Sequence, residues 1–205
     1  SFVQAAERYR LRIVDEREFD LSTNPALREQ NNIALITGGR RDYDAVYIAD
    51  EIGEYARYVP YQVARPRPVI GATGLVAAEW HWALERYGAP QVNSRFEKLS
   101  TSNRRMSWQD WSAWMAARAV LTAFNKSQDP KMEAVNTYLR SDRLHLDGSK
   151  GAQMSFRPWS GQLRMPILLA THNAIIEIAP LEGFLHQTNS LDALGYDEKE
   201  FFCDK

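Results

Sequence analysis

Hydrophobic positions in the first half of the chain change repeatedly between a helical period and short, nearly continuous runs. Residues 2–11 carry apolar side chains at helical spacing, and Leu11–Val14 follows as a short predicted strand. The apolar run Tyr43–Ala49 predicts a strand covered on both faces, and Pro68–Gly71 predicts another. Strands that alternate with helices in units of about 30 residues indicate a parallel sheet with helices on both faces, an α/β fold. The helices expected after these strands cover residues 26–37, 54–61 and 77–87.

The second half has a different pattern. Ser107 resembles an N-cap of a helix that runs through Phe124, and an Asp-Pro pair precedes a second helix that ends at Leu139. Beyond them, Met154–Trp159 and Arg164–Thr171 predict an antiparallel ribbon through a Ser-Gly turn, and the apolar centre of its second strand should be buried. Ile175–Ala179 predicts a third strand. Because a two-stranded ribbon is only marginally stable in water, it should pack on a larger domain.

Composition and charge narrow the possible partners. The chain has 205 residues, of which 44% are hydrophobic, so it can bury a substantial core. Its 25 basic and 26 acidic residues give a net charge of -1, which argues against nucleic acid as a partner. No apolar run approaches the roughly 20 residues that a membrane-spanning helix needs. The single cysteine, Cys203, cannot form an internal disulfide.

No sequence motif indicates catalysis. The four histidines are isolated, with no second ligand at metal spacing, and they are His81, His145, His172 and His186. The segment Gly71–Gly74 lacks the Gly-Lys-Ser/Thr ending of a phosphate-binding loop, and no Gly-x-Ser-x-Gly elbow occurs. We therefore expect no enzyme activity, no cofactor and no metal. A pair of catalytic carboxylates has no local signature, so motifs do not address that class.

Candidate ligand-binding residues follow the predicted parallel strands, because open α/β sheets bind ligands at the carboxyl ends of their strands. Asp50 and Glu51 end the first strand, and they could receive a ligand cation or hydroxyl, form a solvated loop, or cap the next helix. Thr73 and Gly74 follow the second strand, where a glycine-flanked threonine permits close approach to a ligand but also suits a plain turn. Trp80 is a candidate cleft aromatic, with core packing as the alternative.

Motifs spread over most of the chain carry a family resemblance. They are Arg28–Leu35, Arg65–Val69, Gly74-Leu75, Trp80-His81-Trp82, Arg95-Phe96-Glu97, Phe156–Leu163 and Gly183–Gln187. With these segments the chain resembles the second lobe of type I periplasmic solute-binding proteins, the bilobal proteins related to branched-chain amino acid binding proteins of ABC transporters. More narrowly, it resembles the subgroup of substrate-binding components associated with PQQ-dependent alcohol dehydrogenase systems.

The resemblance implies a domain organisation. Residues 1–100 would build lobe two, residues 101–148 would return to lobe one as helices, and residues 149–205 would bring a ribbon and tail back to lobe two. Most of lobe one would precede Ser1, so the chain would be the C-terminal portion of an incomplete bilobal protein.

The resemblance also implies a function. The protein would be a periplasmic receptor that closes two lobes over a small-molecule solute and delivers it to an ABC transporter permease. The alternative is a noncatalytic interaction or sensor protein on the same scaffold, partnering a periplasmic quinoprotein dehydrogenase. Charged residues at positions 50 and 51 favour a polar or cationic solute over a branched-chain amino acid.

Overall fold

The computed structural model describes residues 2–19, 24, 26–27 and 31–202, and it contains both helices and strands. The chain forms two compact units, Ser1–Val76 and Ala77–Lys205. One sheet is parallel and other strand pairs are antiparallel, so the expected α/β character is confirmed at this coarse level. Within the described residues, no helix has both the length and the apolar character needed to cross a membrane.

The first unit combines short helices with one parallel strand pair. Strands β1 (Val46–Ile48) and β2 (Val69–Gly71) lie where the sequence predicted them, and they pair in parallel. Ile33, Val59 and Val69 form the buried core against which neighbouring apolar side chains pack. The helices are α1 (Phe2–Arg8), α2 (Ile33–Gly38) and α3 (Val59–Gln62), the last preceded by a 3-10 turn, Ala56–Tyr58.

Two predictions for this unit need comment. The strand predicted at Leu11–Val14 is wrong: residues 11–19 have no regular structure, and the side chains of Leu11 and Ile13 are exposed. A strand needs a partner for its backbone groups, and none pairs with this segment among the described residues. Of the helix predicted over residues 26–37, residues 26–27 and 33–37 are helical, residues 31 and 32 are not, and residues 28–30 lie outside the described residues.

Among the described residues of the second unit, three α-helices pack with two three-stranded sheets. The helices are α4 (Ala89–Leu99), α5 (Trp108–Ser127) and α6 (Met132–Leu139). One sheet has the order β3-β7-β8, with β3 Val76–Ala78, β7 Ile167–Ala170 and β8 Ile175–Ala179. The other has the order β4-β5-β6, with β4 Leu146–Asp147, β5 Gln153–Phe156 and β6 Leu163–Arg164.

Helix α5 confirms the local sequence signals. The Ser107 side chain accepts a hydrogen bond from the backbone of Asp110, whose carboxylate accepts one from the Ser107 backbone, which makes a reciprocal capping box. Every fourth residue from Trp111 to Ala123 is buried, and Trp111 and Met115 share one core cluster with Met154 and Leu168. This helix therefore packs on strands of its own unit. The domain boundaries expected at residues 100 and 148 do not coincide with the division of the compact units at residue 76.

The helix predicted over residues 77–87 is wrong. The segment begins as β3 and continues in turns, and α4 starts only at Ala89, after Gly88 in a left-handed conformation with φ of 81°. Apolar residues at helical spacing favoured a helix, but Trp80 and Leu84 reach the core from turns instead. Pro90 in the first turn of α4 marks the true helix start.

The predicted ribbon is confirmed near its turn. Ser155 pairs with Arg164 and Phe156 with Leu163 in antiparallel register, and Gly161 in the turn has a φ of 70°. The second strand is interrupted at Pro166, which has no backbone N–H to donate to a ladder. Beyond this break, β7 pairs antiparallel with β8, and its residues alternate between half-buried and buried.

Candidate functional site

The carboxyl ends of β1 and β2 lie side by side. Parallel register pairs Ile48 with Gly71, and the backbone N–H of Ala72 continues the pairing by donating to the Ile48 carbonyl at 2.9 Å. The predicted pairs Asp50-Glu51 and Thr73-Gly74 follow directly at this end of the two strands. Four of the five predicted site residues therefore belong to one sheet edge, which we call the strand-end site.

Asp50 organises the loop that follows β1. One carboxylate oxygen accepts the backbone N–H groups of Ile52 and Gly53, at 3.1 and 2.9 Å. The other accepts those of Tyr55 and Ala56, at 3.0 and 2.9 Å. Burial opposes ionisation of this carboxyl, which is only 8% exposed, but the four amide hydrogen bonds outweigh it and lower its pKa below the ordinary value. Asp50 therefore organises its own loop, and one of its hydrogen bonds reaches Ala56, the first residue of the 3-10 turn whose N-cap residue is Tyr55.

The other three strand-end residues differ in exposure. Glu51 is exposed, and Thr73 is half-buried in the turn after β2. Gly74 adopts a φ of 75°, and a Cβ at this position would collide with the Val69 carbonyl. The turn is closed by the Leu75 backbone N–H, which donates to the same carbonyl at 2.9 Å. Only a glycine fits here, so Gly74 fixes the position of Thr73.

Trp80 lies in the core of the second unit. Its side chain is 2% exposed, its indole N–H donates to the Asn93 side-chain oxygen at 3.0 Å, and its ring stacks on Trp111 with centroids 5.8 Å apart. This is the packing role that the sequence gave as the alternative for Trp80. The neighbouring His81 and Trp82 are half-buried instead.

Sequence reasoning missed two places in the second unit where charged side chains are buried. Asp192 and Arg157, each 3% exposed, form a salt bridge at 2.8 Å, and Arg164 donates to the same Asp192 oxygen at 2.8 Å. Lys150, 1% exposed, donates to the Glu79 carbonyl at 2.6 Å and lies 4.6 Å from the ring centre of Trp111. These partners are far apart in sequence, so no local spacing could have indicated them.

The described residues contain no group of three or more His, Cys, Asp or Glu side chains arranged to hold a metal ion. A polar surface depression of about 470 Å³ lies beside α6, with Asp129, Lys131 and Arg143 in its lining, and none of the predicted site residues lines it. Four of the five predicted site residues lie at the strand-end site instead.

No protein-family model, curated protein or solved structure matches this chain.

Proposed function

We propose that the chain is part of a periplasmic solute-binding component of an ABC-type uptake system, and that the strand-end site contributes to its ligand contacts. The observation that carries the proposal is the parallel pairing of β1 and β2, which brings Glu51 and Thr73 to one edge. Ligands of open α/β sheets bind at this kind of edge. The family resemblance along the chain supports the same interpretation.

The residues of the strand-end site would have separate tasks. Asp50 holds the loop through four backbone N–H groups, so its carboxylate acts on the ligand through the loop. The exposed Glu51 carboxylate supplies a negative charge, and the Thr73 hydroxyl supplies a hydrogen-bonding group at the same end of the two paired strands. A polar solute with a cationic group suits this pair. A branched-chain amino acid side chain does not.

The mechanism that follows is hinge closure. In the solute-binding proteins that the chain resembles, a second lobe completes the cleft. The solute contacts both lobes, which shifts the population towards the closed state. A transporter permease would then bind the closed form and receive the solute. This mechanism requires no catalytic step.

Calorimetry on the intact protein tests the proposal, with small amines, amino acids, organic acids and alcohols as titrants. For the solute that binds, Glu51→Gln and Thr73→Val should each weaken affinity by about tenfold, the value of one charge-assisted or buried hydrogen bond. Glu54→Gln is the matched control, because Glu54 is an exposed carboxylate in the same loop. Its affinity should stay within about twofold of the wild-type value.

Two outcomes would count against this proposal. One is that no titrant binds while a quinoprotein dehydrogenase co-purifies with the protein, which would favour the interaction or sensor function. The other is that the control substitution weakens binding as much as Glu51→Gln, since the site would then depend only on general negative charge.

A further inference from the structure

Two adjacent arginines before α5 have different surroundings. Arg104 donates to both carboxylate oxygens of Asp110, so its charge is balanced. Arg105 instead lies over the indole of Trp82, with its guanidinium carbon 3.4 Å from the ring centre. Among the described residues Arg105 forms no salt bridge with a carboxylate. A guanidinium held by stacking keeps its N–H donors in a fixed plane and available to a ligand.

Hydrogen bonds hold the backbone of the segment that carries Trp82. Asn93 is 6% exposed, and its side-chain amide donates to the Trp82 carbonyl at 2.9 Å while its oxygen accepts from the Trp80 indole. On the other side of the peptide, the Ala83 backbone N–H donates to the His81 ring at 3.2 Å. The segment that carries Trp82 is thus held in place before any ligand arrives, which lowers the entropy cost of binding.

The charge of Arg105 also acts on His81, the residue before Trp82. Burial lowers the pKa of His81, and the charges of Arg105 and His172 lower it further against the opposing effect of a hydrogen bond to the His172 backbone. His172 itself is exposed in the turn between β7 and β8. The charge of Arg105 therefore acts on the His81 imidazole, and the described residues show no ion pair that would neutralise Arg105.

We propose that the guanidinium of Arg105, stacked on Trp82, binds the carboxylate of a small organic acid. A carboxylate matches the two parallel N–H donors of one guanidinium edge. The guanidinium carries a single positive charge, which fits a carboxylate better than a phosphate dianion. The inference is independent of the proposed function and concerns different residues from the strand-end site.

The direct probe is acetate, which is titrated into the full chain while the Arg105 Nε–Hε cross-peak is monitored by heteronuclear NMR. Acetate should shift this cross-peak saturably, with a dissociation constant on the order of 1 mM, as two charge-assisted hydrogen bonds would give. Sodium chloride at matched ionic strength should produce no saturable shift. Inorganic phosphate should bind more weakly than acetate.

Variants separate geometry from charge. Arg105→Met should weaken acetate binding by at least about tenfold, and Arg105→Lys, which keeps the charge but loses the planar fork, should weaken it similarly. The matched control is Arg118→Met, because Arg118 also stacks on a tryptophan, Trp114, with its guanidinium carbon 5.1 Å from the ring centre. Acetate affinity in this control should match that of the wild type.

The proposal is overturned by any of three results: chloride reproduces the acetate shift, phosphate binds more tightly than acetate, or Arg118→Met weakens binding as much as Arg105→Met. The wild-type titration decides the first two without any variant. If an Arg105 variant does not fold, the saturable shift in the wild type and its selectivity for acetate still stand as the test.

Discussion

Replacing Asp192 with Asn should destabilise the second unit strongly, because this carboxylate balances two arginines. One of its oxygens accepts from Arg157 and from Arg164, both at 2.8 Å. The side chains of Asp192 and Arg157 are 3% exposed, and that of Arg164 is 12% exposed. The substitution preserves the shape of the side chain and removes its charge, so two guanidinium groups remain in a poorly hydrated place.

The size of the effect follows from the burial. Removing one partner of a buried ion pair costs about 3–5 kcal/mol, because the remaining charge has lost its water and its counter-charge. A domain of ordinary stability has about 5–15 kcal/mol in total, so the loss is a large fraction. With a urea m-value of about 1–3 kcal/mol/M, the unfolding midpoint should fall by at least about 1 M.

Urea titration monitored by near-ultraviolet circular dichroism measures the change. Asp197→Asn serves as the control, since Asp197 lies in the same tail and pairs at 3.3 Å with His186, but its side chain is 35% exposed. This more exposed pair should contribute no more than about 1 kcal/mol. A loss below about 1 kcal/mol in the Asp192 variant would refute the inference that the carboxylate is essential to a desolvated charge cluster.

A further variant tests the cause of the effect. Replacing Asp192, Arg157 and Arg164 together with apolar residues removes all three charges, and such replacements are often close to neutral. Recovery should be incomplete here, because Arg157 also donates to the carbonyls of Leu191 and Leu194, at 2.7 and 2.9 Å. Those acceptors would lose their donor.

Three other predictions concern stability. Burial lowers the pKa of Lys150 from 10.5 to about 7, with the Glu79 charge opposing the shift, so the unfolded chain binds more protons between these values. The free energy of unfolding should therefore rise with pH across this window, by up to about 1.4 kcal/mol per pH unit, and urea titrations at several pH values should show a smaller slope in Lys150→Met. Gly71→Ala should cost about 1–3 kcal/mol in a thermal denaturation assay, because Gly71 has a φ of 110° and a Cβ would collide with the Ile48 carbonyl of the paired strand. The control is Gly39→Ala, which should be neutral or slightly stabilising because Gly39 has a φ of -66° and open space around a Cβ. Asp50→Asn should cost about 1–3 kcal/mol at neutral pH, since an amide nitrogen cannot accept the N–H groups that the second carboxylate oxygen accepts. Because the folded pKa of Asp50 lies below 3.8, the stability that its carboxylate contributes should be present above pH 3.8 and disappear as the pH falls further. Acid titration of the wild type and the variant would show this difference.

Predictions from the sequence succeeded where the determining interactions are local. The cap at Ser107 and the start of α5 are set within four residues, and the ribbon turn at Gly161 is set by a glycine that accepts positive φ. Strands β1 and β2 were predictable because each is a short apolar run bounded by turn or polar residues. Their adjacency followed from the expectation of a parallel pair.

Predictions failed where distant residues decide the structure. The pattern over residues 77–87 suits a helix, but pairing of β3 with β7, about 90 residues away, determines the start of that segment. Leu11–Val14 has strand-like composition without a partner strand in the described residues. The same limit applies to Arg157 and Asp192, whose separation of 35 residues leaves no spacing signal.

The two acidic neighbours at the strand-end site show how a loop-organising carboxylate can be distinguished from a ligand-binding one. An ionised carboxylate offers about four acceptor positions, and Asp50 uses its oxygens for four backbone N–H groups of its own loop. Glu51 is exposed beside it. If the proposed function is right, Glu51→Gln should reduce solute affinity without changing the unfolding midpoint, whereas Asp50→Asn should lower the midpoint and reduce affinity only through movement of the loop. Equal effects of the two substitutions on affinity, with no change in stability for either, would refute this distinction between Asp50 and Glu51.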